Sequence, residues 1–218
     1  MFIGHFGVGL AAKKPAPRIS LGTLFMAVQF LDLLWPIFLL LDLERVAIKP
    51  GDHNSIPLDF TYYPYSHSLL MAGVWALLFG VYYFLIRRNG KGAMILALCV
   101  LSHWFLDLIV HNPDLPVFIG EGSPMLGFGL WNYPSATALI EGIIFFAGCF
   151  FYLQKTAAKN AFGRIGILLL IFLLLVTHVF NMVGPKPESV STIAWGANFQ
   201  WIFVLLAYWI DYNRRPNN

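Results

Sequence analysis

Within Ser102-His103-Trp104-Phe105-Leu106-Asp107-Leu108-Ile109-Val110-His111, two histidines and an aspartate recur at i, i+4 and i+8. That spacing stacks three metal-competent side chains on one helical face. The residues around them are apolar, and an ionisable group at bilayer depth costs ~2.5–3.5 kcal/mol even on a lenient insertion scale. Such a face calls for a partner: a metal, other charged groups, or a water-filled cavity. Five further residues of the right type stand at or inside apolar runs: His5, Asp32, His67, Glu141 and His178. Histidine and carboxylate are the oxygen and nitrogen donors that zinc takes, and buried carboxylates without nearby cations need a counter-charge. His53, in a polar stretch, reads as solvated.

The elements that must carry these residues are long and apolar. Of the 218 residues 58% are hydrophobic and 11% charged, and mean hydropathy is +0.69, outside the usual range of soluble domains. The expected fold is an all-α polytopic membrane bundle forming a single integral-membrane domain over 1–218, with about six spans. A short N-terminal half-membrane helix over 1–12 is followed by spans near 19–41, 67–86, 92–112, 135–154, 164–183 and 192–211. Pro36 is expected to kink the first span, and Asn112-Pro113 to end the third. Cys99 and Cys149 lie in apolar runs and read as small buried hydrophobes. The formal net charge of +3 is too small to argue for a nucleic-acid partner.

The placement of charge gives orientation. Lys13, Lys14, Arg18, Arg87, Arg88, Lys91, Lys155, Lys159, Arg164, Arg214 and Arg215 fall on one side of a six-span arrangement, which the positive-inside rule makes cytoplasmic. The opposite loops carry Asp42, Glu44, Asp52, Asp59, Asp114, Glu121 and Glu188. Counting 1.5 Å per residue from the nearest cytoplasmic basic residue puts Asp32, His103, Asp107, Glu141 and His178 ~18–24 Å deep. On the same count His5 lies at ~12 Å, and His67 and His111 at ~30 Å, near the outer mouth. The set reads as one site opening away from the cytoplasm.

The order His5, Asp32, Ser66-His67-Ser68-Leu69-Leu70, then His103 with Asp107 four on, resembles the bacterial inner-membrane metal-dependent hydrolases described as LexA-binding membrane hydrolases. The resemblance covers about the first 145 residues. The ligand order is also similar to that of the zinc-dependent phospholipase C superfamily. These resemblances imply a bacterial cytoplasmic-membrane protein with a metal-site core over 1–154 and two additional spans over 164–211. They imply one metal on Asp32, His67, His103 and Asp107, with Asp107 bridging to a second ion held also by His5. A third ion would take His111 and Glu141, with Thr137 standing where the family has a histidine and His178 available at matching depth. Two departures weaken the phosphate-binding features. Leu31-Asp32-Leu33-Leu34 keeps a single carboxylate, and Tyr62-Tyr63-Pro64 replaces a run containing an arginine.

The function expected on these grounds is a membrane-embedded hydrolase with two or three zinc-type divalent ions, cleaving a phosphoester in a lipid-like substrate presented by the bilayer. Metals would clamp phosphoryl oxygens and lower the pKa of a water toward ~7. Asp32 and Asp107 are the candidate catalytic residues, Asp32 as proton acceptor, with Tyr63, Tyr65 and Trp104 as possible substrate contacts. The rivals are a proton or cation pathway through His103, Asp107, Glu141 and His178, and a metal-binding scaffold without catalysis.

Overall fold

The computed structural model describes residues 1–49 and 58–217; Asp52 and His53 lie outside the described residues. The chain is mostly helical. A short helix, α1 (Ile3–Ala11), leads into α2 (Leu21–Val28) and α3 (Phe30–Leu40), a pair bent by 57°. Then come the strands β1 (Arg45–Ile48) and β2 (Leu58–Tyr62), a single turn α4 (Pro64–His67), and the long hairpin of α5 (Leu69–Arg87) and α6 (Gly90–Val110). After the small strands β3 (Leu115–Pro116) and β4 (Met125–Leu126) the chain runs through α7 (Pro134–Lys155), β5 (Thr156–Ala158) and α8 (Ala161–Val183). It closes with α9 (Val190–Asn198), α10 (Gln200–Tyr212) and β6 (Arg214–Pro216).

Side-chain caps start the long helices. Ser68 accepts a hydrogen bond from the Met71 amide at 3.2 Å, Asn89 from Gly92 at 3.0 Å, and Asn160 from Gly163 at 2.9 Å. Arg88, at φ 51°, supplies the left-handed residue that ends α5, so Arg88-Asn89 turns the chain straight into α6. Among the described residues, five helical segments are long and apolar enough to cross a membrane, or six if the bent α2–α3 pair counts as one. Their outer faces are apolar and exposed: Leu77, Leu78 and Leu85 on α5, Ile143, Phe146 and Phe150 on α7, Leu168, Phe172 and Val176 on α8. An apolar surface this continuous marks contact with an apolar surrounding.

Packing at the centre is set by α1. A Cβ on Gly148 would lie 2.1 Å from the Gly7 carbonyl oxygen, and one on Gly7 would lie 2.7 Å from that of Ile144. The backbones of α1 and α7 therefore touch at a glycine on each side, which seats the short helix deep in the bundle and leaves His5 and Phe6 fully buried. Glu141 of α7 accepts the Phe2 and Gly4 amides at 2.8 and 3.2 Å, placing a carboxylate at the positive end of α1.

Several expectations are corrected. The first span is broken at Gln29, between α2 and α3, a bend not foreseen from the sequence; Pro36 sits inside α3. Three antiparallel strand pairs, β1–β2, β3–β4 and β5–β6, interrupt the all-α pattern. His67 precedes its span, closing α4, because Ser68 takes the N-cap position. The last span breaks at Phe199. Arg214 is buried and donates to Thr156 Oγ1, the Thr156 carbonyl and the Gly163 carbonyl at 2.7–3.0 Å, so it ties the C-terminal strand down. Trp104 is 2% exposed within the core, which removes it from the substrate contacts.

Candidate metal centre

Four elements converge on Asp107. α6 supplies His103 and Asp107 one turn apart, α3 supplies Asp32, α4 supplies His67 and α1 supplies His5. His67 Nε2 stands 3.4 Å from Asp32 Oδ1 and 3.8 Å from Asp107 Oδ2; His103 Nε2 stands 3.7 and 3.1 Å from the same two oxygens. The donor atoms of Asp32, His67 and His103 lie within 4.8 Å of one another, as do those of His5, His103 and Asp107, so each set of three has donors close enough to share one ion. On the other side, Asp107 Oδ1 lies 3.0 Å from His5 Nε2 and 2.5 Å from the Met1 amine. The two oxygens of Asp107 are thus divided between two donor sets.

Hydrogen bonds to the far ring nitrogens fix what the near ones present. Ser66 Oγ donates to Glu44 Oε2 at 2.6 Å, so its contact with His67 Nδ1 at 2.7 Å is one in which the imidazole N–H donates. His103 Nδ1 stands 2.7 Å from the Val28 carbonyl, an acceptor only, and therefore donates as well. The bend at Gln29 turns that carbonyl toward α6. Both histidines in their neutral form direct a bare Nε2 lone pair at carboxylate oxygens. His103 Nε2 is buried without a hydrogen-bond partner among the described residues. The His5 and His103 rings are stacked, 3.7 Å between centroids and 5° from parallel. Two imidazolium ions face to face would repel, so protonating every histidine does not resolve the cluster. The Met1 amine at Asp107 is one cation already within the cluster, and the histidine and carboxylate donors around it are also of the types that could hold a divalent ion such as zinc.

The remaining candidates are placed differently. His111, Glu141 and His178 line the same cavity as Asp32, His67 and Asp107, but belong to neither of the two close donor groups, His5–His103–Asp107 and Asp32–His67–His103. His111 Nδ1 faces Asp114 Oδ1 at 2.9 Å and the Tyr63 hydroxyl at 3.3 Å. Burial and the neighbouring Asp114 carboxylate push the Tyr63 hydroxyl well above the usual phenol range. Glu141 is engaged at the start of α1, and His178 lies parallel to the Phe2 ring at 6.3 Å. Thr137 donates to the Leu130 carbonyl at 2.7 Å.

Three supports escape a reading of the sequence. Glu44 is 2% exposed and accepts from the Ser66 amide at 2.7 Å as well as from its hydroxyl; burial raises its carboxyl pKa. The Val28 carbonyl and Asp114 are the others. The Ser-His dipeptide, written at 66–67 and again at 102–103, gives a partial signal only, since Ser102 Oγ donates instead to the Cys99 carbonyl at 2.7 Å.

The cavity beneath Asp32 and Asp107 holds about 180 Å3. Its polar lining is joined by Trp35, Phe60, Trp131 and Met182, and no lysine or arginine lines it among the described residues. Asp32 is 20% exposed at its side chain against 2% for Asp107, so it is the more accessible of these two cavity-lining carboxylates. No known protein family, curated protein or solved structure matches this chain.

Proposed function

We propose that this chain is a membrane-embedded, zinc-type metal hydrolase acting on a phosphoester, as its resemblance to the inner-membrane hydrolases implies. The observation that carries the reading is the pair of histidines whose Nδ1–H groups are committed while their Nε2 atoms face two carboxylates at 3.4 and 3.1 Å. His67, His103, Asp32 and Asp107 would hold one divalent ion; His5 and the other Asp107 oxygen would contribute to a second. Such ions supply charge for phosphoryl oxygens and acidify water.

The residues have separable tasks. Glu44 and Ser66 hold the proton on His67 Nδ1 and the Val28 carbonyl holds that on His103, so the neutral ring of each would present Nε2 to a bound ion. Asp32, facing the cavity, is the proton acceptor for an attacking water. Trp35, Phe60 and Trp131 limit water around the reacting bond. The five apolar helices and the basic residues gathered at one end of them support a bilayer setting with the cavity away from the cytoplasm.

Elemental analysis of detergent-purified protein should find about two zinc-type ions per chain, falling to one or none in Asp107→Ala. The wild type should hydrolyse phosphodiester or phospholipid substrates, and Asp107→Ala should lose at least ~100-fold in rate. A metal-free wild type after resupply of zinc removes the metal reading. Equal rates in the two proteins leave a scaffold.

A further inference from the structure

A second cavity, of about 500 Å3, is lined by residues of α2, α5 and α10 and shares no lining residue with the first. α5 starts two residues after His67 and ends at Arg87 in the wall of this second cavity, so ~27 Å of helix lies between it and the metal centre. Arg18 and Arg87 both line it, and no aspartate or glutamate does among the described residues. Both arginines are exposed, and neither has an ion pair or a side-chain hydrogen bond among the described residues, whereas Lys13 is paired with Asp211. The same cavity holds three hydroxyls in a row: Ser20 Oγ is 2.8 Å from Thr23 Oγ1, which is 2.9 Å from the Tyr208 hydroxyl. Two contacts consume two of the three hydroxyl hydrogens, so one is left to donate to an acceptor from outside the row. Gly22 permits this arrangement, since a Cβ there would lie 2.2 Å from the Tyr208 ring, which packs directly on the α2 backbone. Away from the arginines the lining turns apolar. Phe79 lies ~12 Å along α5 from Arg87, and Met26 ~9 Å along α2 from Ser20. Tyr82 and Ile86 also line the cavity; they are 68% and 57% exposed and share a face of α5 with Leu78, so the cavity opens onto the apolar outer surface.

We propose that this cavity binds an anionic glycerophospholipid, its phosphate at Arg18 and Arg87 and the start of its acyl chains against Met26 and Phe79. Two unpaired guanidinium groups and a spare hydroxyl hydrogen are donors suited to phosphate oxygens. A free phosphate would use the charged rim alone and leave ~9–12 Å of apolar wall uncovered, whereas a phospholipid covers both. An ammonium headgroup would set a further positive charge beside the two guanidinium groups with no carboxylate to offset it, so phosphatidylglycerol is favoured over phosphatidylcholine. No histidine lines the cavity among the described residues, and the site holds a lipid without reacting with it. Its assignment to the cytoplasmic leaflet rests on the orientation proposed above; the binding itself rests neither on that nor on the hydrolase reading.

The test is native mass spectrometry of the full chain in detergent, titrated with phosphatidylglycerol or phosphatidylcholine in the presence of a zinc chelator, so that no phosphoester is held through a metal. The wild type should bind phosphatidylglycerol about tenfold more tightly than phosphatidylcholine. Arg18→Gln/Arg87→Gln should bring the two lipids level. Lys91→Gln/Arg164→Gln removes the same amount of charge from exposed positions outside the lining and should keep the preference. Because Arg18 and Arg87 are exposed and unpaired, their double variant should unfold at the wild-type temperature in lipid-free detergent. Equal binding of the two lipids by the wild type, or a preference that survives Arg18→Gln/Arg87→Gln, overturns the site. An equal loss in Lys91→Gln/Arg164→Gln overturns it as well, by showing that surface charge alone attracts the lipid. Phosphatidylglycerol should stay bound in excess inorganic phosphate; its displacement overturns the lipid assignment in favour of a free phosphate. Zinc content and hydrolysis rate enter none of these readouts, so the lipid site and the metal reading can fail separately.

Discussion

Ser66→Ala isolates the arrangement of protons around His67. The variant removes the acceptor that holds the Nδ1 proton, while leaving all the metal donors in place. Loss of a group that orients a ligating histidine costs ~10–100-fold in metal affinity. Competition with a zinc chelator should show a loss of that size, with unchanged helicity by circular dichroism, and Ser66→Thr should restore most of it. Individual residues were largely legible in the sequence because each was an oddity: His5, Asp32, His103, Asp107 and His178 are ionisable groups in apolar runs, which hydrocarbon does not tolerate without a cause. Glu44 was not legible. It stands in an acidic loop among carboxylates that look solvated, and only the return of β2 and α4 buries it against Ser66.

At the scale of elements, the crossing of α1 over α7 determines whether His5 reaches Asp107. Gly148→Val would drive a branched side chain into the Gly7 carbonyl, and overpacking of this kind costs about 1–3 kcal/mol. Gly142 lies on the same helix with open space where a Cβ would go. Gly142→Ala should be neutral or stabilising by about 0.5–1 kcal/mol, since glycine is the poorer helix residue. Thermal unfolding in detergent, with zinc content measured alongside, separates the two. Gly148→Val should lose both stability and metal, whereas Gly142→Ala should lose neither. The spans themselves could be read from hydropathy to within a few residues. The bend at Gln29 could not, because Pro36 is the stronger local signal and the bend arises where α2 and α3 pack differently against their neighbours.

At the scale of the whole molecule, the proposed bilayer setting has the basic residues set which end would face the cytoplasm. In intact cells, Glu121→Cys should react with an impermeant thiol reagent added from outside and Arg88→Cys only after permeabilisation; the native Cys99 and Cys149 are buried and should react slowly. The reverse pattern overturns the orientation. Burial of the C-terminal strand by Arg214 had no sequence signal, since an arginine beyond a final span ordinarily marks only the membrane edge. The convergence on Asp107 has a mechanical side as well. The donors around it come from α1, α3, α4 and α6, so an ion there would act as a cross-link between helices far apart in sequence. Saturation at 1,000 times the dissociation constant would add about 4 kcal/mol to stability. Chelation should therefore lower the unfolding temperature and speed amide hydrogen exchange first in α1 and α4, the two shortest helices that donate to the cluster, while the α5–α6 hairpin keeps its protection.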